Sequence, residues 1–186
     1  MRAPPDNKVR YHIHKAPTGR TLVWMAIPAT GNSFRRLSLG GFNPNHGYTK
    51  KLDLPRSEYD LITFTRDPVQ RFISVWQWMK KHRVGTGLDF MRGNPTKVDK
   101  HLRPQHTFTG VFGADYLGHF ETLEKDWENL REKYSLGPFI RPSRLYGTKS
   151  WNEVIDKEQL LKVVNYYSTD FTAFGYDSRQ YIDATH

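Results

Sequence analysis

Cysteine is absent from this chain of 186 residues, and no run of about 20 apolar residues occurs in it. The first absence excludes disulfide bonds and thiolate metal sites. The second excludes a membrane-spanning helix in this sequence, and residues 1–20 lack the apolar core of a signal peptide. We therefore expect a soluble protein in the cytoplasm.

Acidic residues are outnumbered: 19 Asp and Glu stand against 28 Lys and Arg, which gives a net charge of +9. A basic surface favours polyanionic partners such as nucleic acids, acidic membranes, sulfated glycans and multiply charged nucleotides. The basic residues are dispersed instead of forming a stripe with aromatic residues, so we expect no nucleic-acid partner. The length predicts one domain over residues 1–186, with a polar, proline-containing arm at residues 1–18.

The stretch Leu61–Lys80 contains a strand, a turn and a helix in direct succession. Apolar and β-branched residues over Leu61–Thr65 predict a buried strand of a parallel sheet. Arg66 follows at its carboxyl end, where open α/β sheets bind ligands. Asp67 and Pro68 predict the start of a helix whose first N–H groups favour an anion.

Arg66 and Ser74 are predicted to converge on one phosphate, the first from the strand end and the second from the helix. The alternative is that Arg66 and Asp67 only pair and cap the helix. Arg71 and Ser74 are predicted to lie away from the sheet. The residues predicted to face the sheet are Phe72, Val75, Trp76 and Met79.

A similar unit precedes this stretch. Thr21–Ile27 is a continuous apolar strand, and it runs into a glycine-containing turn that opens a helix. Backbone N–H groups and hydroxyls of such a turn bind anionic oxygens. The residues predicted to do so are Thr30, Gly31, Asn32, Ser33 and Phe34. An ordinary strand-to-helix turn is the alternative, and the Walker pattern is absent.

Further elements follow along the chain. A strand at Tyr116–Phe120 and a helix at Glu121–Tyr134 are predicted, and acids in the first helical turn suit a scaffold better than catalysis. The inner face of this helix consists of Leu123, Trp127 and Leu130. A last long helix is predicted at Asp156–Tyr167. Its inner face consists of Leu160, Leu161, Val164 and Tyr167. His12 and His14 share a strand face, but without a third ligand we predict no metal site.

The segment from Arg66 to Ser74 resembles the 3′-phosphate-binding segment of sulfotransferases that use 3′-phosphoadenosine 5′-phosphosulfate (PAPS). The loop at residues 28–33 resembles their 5′-phosphosulfate loop, usually Pro-Lys-x-Gly-x-Thr or Ser. Ala29 stands where that family has lysine. In the family the lysine neutralises charge on the leaving phosphate. Three alternatives stay open. Arg35, Arg36 or Lys15 supplies the missing charge, the enzyme is slow, or this copy is disabled.

Two later segments resemble carbohydrate sulfotransferases of the chondroitin and HNK-1 type. HLRPQH at residues 101–106 is similar to their His-x-x-Pro-Gln segment. DYLGHFETLEKDW at residues 115–127 is similar to their Asp-x-x-Gly-x-aromatic-Glu-x-Leu-x-x-Asp segment. The ending at residues 167–176 resembles the tail of the same group, whose aromatic residues pack the domain.

The resemblance implies an α/β fold with a central parallel sheet flanked by helices, of the P-loop nucleoside-kinase-like sulfotransferase type. It implies sulfuryl transfer from PAPS to a hydroxyl, with a carbohydrate as the expected acceptor, 3′-phosphoadenosine 5′-phosphate (PAP) as product and no metal. His46 is expected to deprotonate the hydroxyl, with His101 as the second candidate. Thr148 and Lys149 are expected to contact the nucleotide.

Three other functions stay open. A plain nucleic-acid binder would explain the positive charge, although the dispersed basic residues argue against it. Ala29 is compatible with a pseudoenzyme that binds a nucleotide or a sulfated glycan without turnover. A kinase-like phosphotransferase would need a replacement for the Walker lysine and a carboxylate for Mg²⁺.

Overall fold

The computed structural model describes residues 11–39, 54–82, 100–108, 111–142 and 149–183. The chain forms two compact units, each built from two segments. The first unit comprises residues 1–65 and 108–143, and the second comprises residues 66–107 and 144–186. One domain over residues 1–186 stays a prediction. Across the described ranges, no helix is long and apolar enough to cross a membrane.

The described part of the first unit contains a four-stranded sheet in the order β1-β2-β3-β4. The strands are β1 Tyr11–Lys15, β2 Thr21–Met25, β3 Tyr59–Thr65 and β4 Tyr116–His119. Strands β2, β3 and β4 are parallel, and β1 pairs antiparallel with β2. The predicted parallel sheet is therefore confirmed, and part of the predicted arm supplies an antiparallel edge strand.

The helices of the described residues are α1 Asn32–Ser38, α2 Pro68–His82, α3 Leu123–Tyr134, α4 Lys157–Tyr166, α5 Ser168–Phe174 and α6 Arg179–Ile182. Helices α1 and α3 belong to the first unit and the others to the second. The protein thus has the predicted α/β fold.

The core of the first unit lies on one face of the sheet. Alternate strand residues point to the same face, so Trp24 of β2 and Phe64 of β3 lie side by side, with ring centroids 6.2 Å apart. Trp127 of α3 stacks on Trp24 at 5.9 Å. The predicted inner face of α3 is confirmed, because Leu123, Trp127 and Leu130 are buried.

Gly118 of β4 permits this aromatic packing. A Cβ atom at this position would lie 2.3 Å from Cε1 of Phe64, closer than any real contact. The glycine of the Asp-x-x-Gly segment is therefore needed for the close approach of an aromatic ring to the strand.

The second unit has its own apolar interior. Helix α2 contacts α4, and the ring of Phe72 lies 6.5 Å from that of Tyr167. Helix α4 is capped by Asp156, whose side chain accepts a hydrogen bond from the N–H of Gln159. The prediction for Leu161 is wrong: it is 41% exposed. The buried residues of this helix are Leu160, Val163 and Val164.

Candidate functional site

The turn from β3 into α2 carries Arg66 and Asp67, which are only 3% and 5% exposed. Oδ1 of Asp67 accepts a hydrogen bond from the N–H of Gln70 at 2.9 Å, which confirms the predicted cap. The same oxygen accepts a hydrogen bond from the hydroxyl of Tyr181 at 2.7 Å. The start of α2 is therefore tied both to its own first turn and to α6.

Gln105 holds the main chain of Arg66. Its Oε1 accepts a hydrogen bond from the Arg66 N–H at 2.9 Å, and its Nε2 donates one to the Arg66 carbonyl at 2.8 Å. Gln105 is fully buried. A side-chain amide offers one acceptor and two donors, so it satisfies both peptide groups of Arg66. Sequence reasoning missed this contact, although the His-x-x-Pro-Gln segment contained the signal.

Asp170 of α5 holds Gln105 in turn. Its carboxylate is fully buried. It accepts hydrogen bonds from the N–H groups of Gln105 and His106 at 2.7 and 2.9 Å. Nδ1 of His106 lies 2.7 Å from the same carboxylate. Buried charges require such partners. The neighbouring aromatics Phe171 and Phe174 are buried, which confirms the structural role predicted for the tail.

Arg71 of α2 was predicted to lie away from the sheet, and the structure adds that its side chain is fully buried. Its Nη2 donates a hydrogen bond to the carbonyl of His101 at 2.8 Å, and its guanidinium lies 5.9 Å from the ring of Tyr167. Burial lowers the pKa of Arg71, and the nearby Tyr167 and Asp170 oppose this shift. Ser74, on the same helix, is half-buried.

Of the two histidines predicted as the base, the structure describes His101. His101 lies in a short turn at Lys100–Leu102, half-buried, with its ring 4.8 Å from that of Trp78. His46 lies outside the described residues. Of the two residues predicted to contact the nucleotide late in the chain, Lys149 is exposed and Thr148 is also outside the described residues.

The loop after β2 forms hydrogen bonds with itself. The Thr30 hydroxyl and the Asn32 side-chain amide both donate to the carbonyl of Ile27, at 2.9 and 2.7 Å. The Phe34 N–H donates to the carbonyl of Gly31 at 3.0 Å. The Thr30 hydroxyl and the Phe34 N–H would therefore have to exchange a hydrogen bond to bind an anion. Ser33 is exposed at the start of α1.

The ring of Phe34 lies in the aromatic core of the first unit. Phe34 is 1% exposed, and its ring packs edge-on against Phe64 at 5.3 Å and Trp127 at 5.6 Å. Adenine would have to displace this aromatic core to reach the ring.

The backbone of this loop is left-handed at two positions. Gly31 has a φ of 90° and Ala29 a φ of 63°. A Cβ atom on Gly31 would lie 3.1 Å from the rings of Phe34 and Phe120, a tight contact, and the left-handed φ itself favours glycine. Ala29 adopts a conformation that costs an L-residue about 1–2 kcal/mol.

Lys15 does not substitute for the lysine that the family has at position 29. It pairs with Thr21 at the amino end of β2, and its Nζ donates to the Thr21 hydroxyl at 3.3 Å. The loop follows the other end of this strand, about 13 Å away at about 3.3 Å per residue. Arg35 is buried, with 6% exposure, and the side chain of Arg36 is outside the described part.

Asp126, in the segment at residues 115–127, connects α3 with β4. Asp126 accepts hydrogen bonds from the Thr122 hydroxyl at 2.7 Å and the His119 N–H at 2.8 Å. The Tyr116 hydroxyl donates to it at 3.0 Å, and burial raises the pKa of Tyr116 to about 12.

Among the described residues, no group of three or more His, Asp or Glu side chains is arranged to hold a metal ion.

Comparison with known proteins agrees with the resemblance seen in the motifs. Residues 26–177 match the family model described as "Sulfotransferase family". This match covers most of the chain and includes the β2 loop, the Arg66 turn, Gln105 and Asp170. No curated protein and no solved structure matched the chain.

Proposed function

This chain belongs to the sulfotransferase family, and we propose that it transfers a sulfuryl group from PAPS to a hydroxyl of a carbohydrate. The bond between sulfur and the 5′-phosphate oxygen breaks, and a bond between sulfur and the acceptor oxygen forms. The acceptor proton passes to a base, and PAP leaves. Support comes above all from the turn at Arg66, where a buried arginine with a doubly held main chain precedes a capped helix.

For the 3′-phosphate we propose the guanidinium of Arg66 and the hydroxyl of Ser74. Arginine binds phosphate through two parallel charge-assisted hydrogen bonds, and these are stronger than neutral ones. Ser74 is half-buried on α2, eight residues after Arg66. This assignment follows the motif spacing.

For the 5′-phosphosulfate we propose the loop from Thr30 to Phe34, acting through backbone N–H groups and the hydroxyl of Ser33. The first N–H groups of a helix have no partner within it, and the first turn of α1 contains no acid that would repel an anion. Gly31 and Asn32 shape this loop, and Thr148 and Lys149 are proposed to contact the nucleotide as well.

We propose His46 as the base, with His101 as the second candidate. A neutral imidazole suits this role near pH 7. The net charge of +9 suits a sulfated or carboxylated glycan as the acceptor. A cytoplasmic setting stays a proposal from composition, and cell fractionation tests it.

The function is tested with labelled donors. The protein is incubated with labelled PAPS, or with ATP labelled at the γ-phosphate, and with a panel of glycans and small alcohols. We expect label transfer from PAPS to a glycan hydroxyl and none from ATP. Binding of PAP in calorimetry without any transfer would instead indicate a pseudoenzyme, with which Ala29 is compatible. Transfer from ATP alone would indicate a phosphotransferase.

We expect Ala29→Lys to raise kcat with PAPS by roughly 100-fold, because one donor to a developing charge is worth about that much. Ala29 already has a Cβ atom at a left-handed φ of 63°, so lysine adds no new backbone cost. Ala29→Met, which has a long but uncharged side chain, is the control and should leave kcat unchanged. An unchanged kcat for Ala29→Lys would contradict the prediction and point to Arg35 or Arg36.

A further inference from the structure

We propose that Gln105 and Asp170 are positioning residues for recognition of the nucleotide 3′-phosphate, because together they fix the main chain from which the Arg66 side chain projects. Neither residue is proposed to touch the nucleotide. This inference rests on the proposed function, since it takes Arg66 as a ligand of the phosphate.

The first step concerns Arg66 itself. It lies between a strand and a helix, where no regular backbone ladder fixes both of its peptide groups. Gln105 takes over that task, with bonds of 2.9 Å to the N–H and 2.8 Å to the carbonyl. These two bonds restrain both sides of the Arg66 Cα atom and hence the direction of its side chain. A misplacement of about 1 Å at a reacting site can cost about 100-fold in rate.

The second step concerns what fixes Gln105. Its N–H donates to Asp170 at 2.7 Å, and the next N–H along the chain, that of His106, donates to the same carboxylate at 2.9 Å. The contact between Asp170 and Nδ1 of His106 adds a third restraint. Gln105 and Asp170 are both fully buried, so water does not compete for these bonds. An unbroken series of hydrogen bonds therefore connects α5 with the main chain of Arg66.

The third step concerns charge. A buried carboxylate is tolerated only with compensation, and Asp170 has it from Gln105, His106 and the electrostatic interaction with the buried Arg71. Removing the charge of Asp170 would disturb all of these contacts at once. Gln105 is uncharged and bonds Arg66 directly, so it is the better position for a test.

The main variant is Gln105→Met, which nearly keeps the side-chain volume and removes both bonds to Arg66. The readout is the ratio of the affinities for PAP and for 5′-AMP, which lacks the 3′-phosphate, measured by calorimetry. We expect PAP binding to weaken by about 10- to 100-fold, by analogy with the loss of residues that support the ligands of a metal ion. Binding of 5′-AMP should not change. Gln180→Met, the same change at an exposed position of α6, should alter neither affinity.

A double-mutant comparison shows whether Gln105 acts through Arg66. In an Arg66→Ala background, Gln105→Met should cause no further loss of PAP affinity, because the side chain that it positions is gone. A full additional loss in that background would overturn the proposal. So would an equal loss of PAP and 5′-AMP affinity, since that indicates a merely structural role.

The two proposals fail in different ways. If the unmodified protein binds PAP no better than 5′-AMP, the proposed 3′-phosphate site is wrong before any variant is made. If it discriminates and Gln105→Met keeps the same ratio, only the positioning role is overturned. Should circular dichroism show that Gln105→Met does not fold, Gln105→Glu is measured in the same way. It keeps an acceptor for the Arg66 N–H and loses the donor to the carbonyl, and an unchanged ratio would again overturn the proposal.

Discussion

Arg66→Ala will weaken PAP binding by about 30- to 5000-fold, which corresponds to about 2–5 kcal/mol for loss of one partner of a buried, hydrogen-bonded charge pair. The lost interaction is with the 3′-phosphate, so 5′-AMP should bind as before. Gln105 holds the main chain of Arg66 and not its side chain. The turn should therefore persist in the variant, and circular dichroism should show an unchanged fold.

Calorimetry with both nucleotides measures this effect. Arg179→Ala is the matched control in the second unit, because its side chain is 80% exposed and pairs with Asp177. The control should bind PAP as the unmodified protein does. Unchanged PAP affinity in a folded Arg66→Ala protein would remove the central residue of the proposed site.

His46→Ala is expected to lower kcat by about 100- to 10,000-fold, the usual contribution of a general base, while PAP affinity stays the same. In the unmodified protein, kcat/KM should fall as the pH drops through the pKa of the base, for which an unperturbed histidine gives about 6.5. This acidic limb of the profile should disappear in the variant. Steady-state assays with PAPS and the acceptor, at a series of pH values, measure both effects.

His101→Ala is the comparison for this experiment. His101 is half-buried against Trp78, and its carbonyl, which any residue would supply, accepts the bond from Arg71. We expect a smaller loss of kcat than in His46→Ala. A large loss in His101→Ala alone would transfer the role to His101, and no loss in either variant would contradict a histidine base.

The missing lysine illustrates the limit of motif reading. The sequence shows Ala29 in place of the lysine, but it does not rank the three residues that could supply the missing charge. The strand register places Lys15 opposite Thr21, at the wrong end of β2. Arg35 is buried on α1. Such decisions depend on strand pairing and packing, which short motifs do not encode.

In the candidate site too, the sequence predicted features that depend on neighbouring residues and missed those that depend on distant ones. Asp67 was predicted as a cap, and it is one, because capping depends on residues within one turn. Arg71 was predicted to lie away from the sheet, but its complete burial was not predicted. Its place is decided by a contact with His101, which lies 30 positions along the chain.

By itself the sequence determined strands β2 and β3, the start of α2 and the inner face of α3. These follow from local signals: apolar runs, caps and helical spacing. Only the tertiary structure decided that Phe34 belongs to the core, that Gln105 holds the main chain of Arg66 and that Asp170 holds Gln105. The bonds responsible join residues 39 and 65 positions apart, and a separation of that size leaves no periodic pattern in the chain.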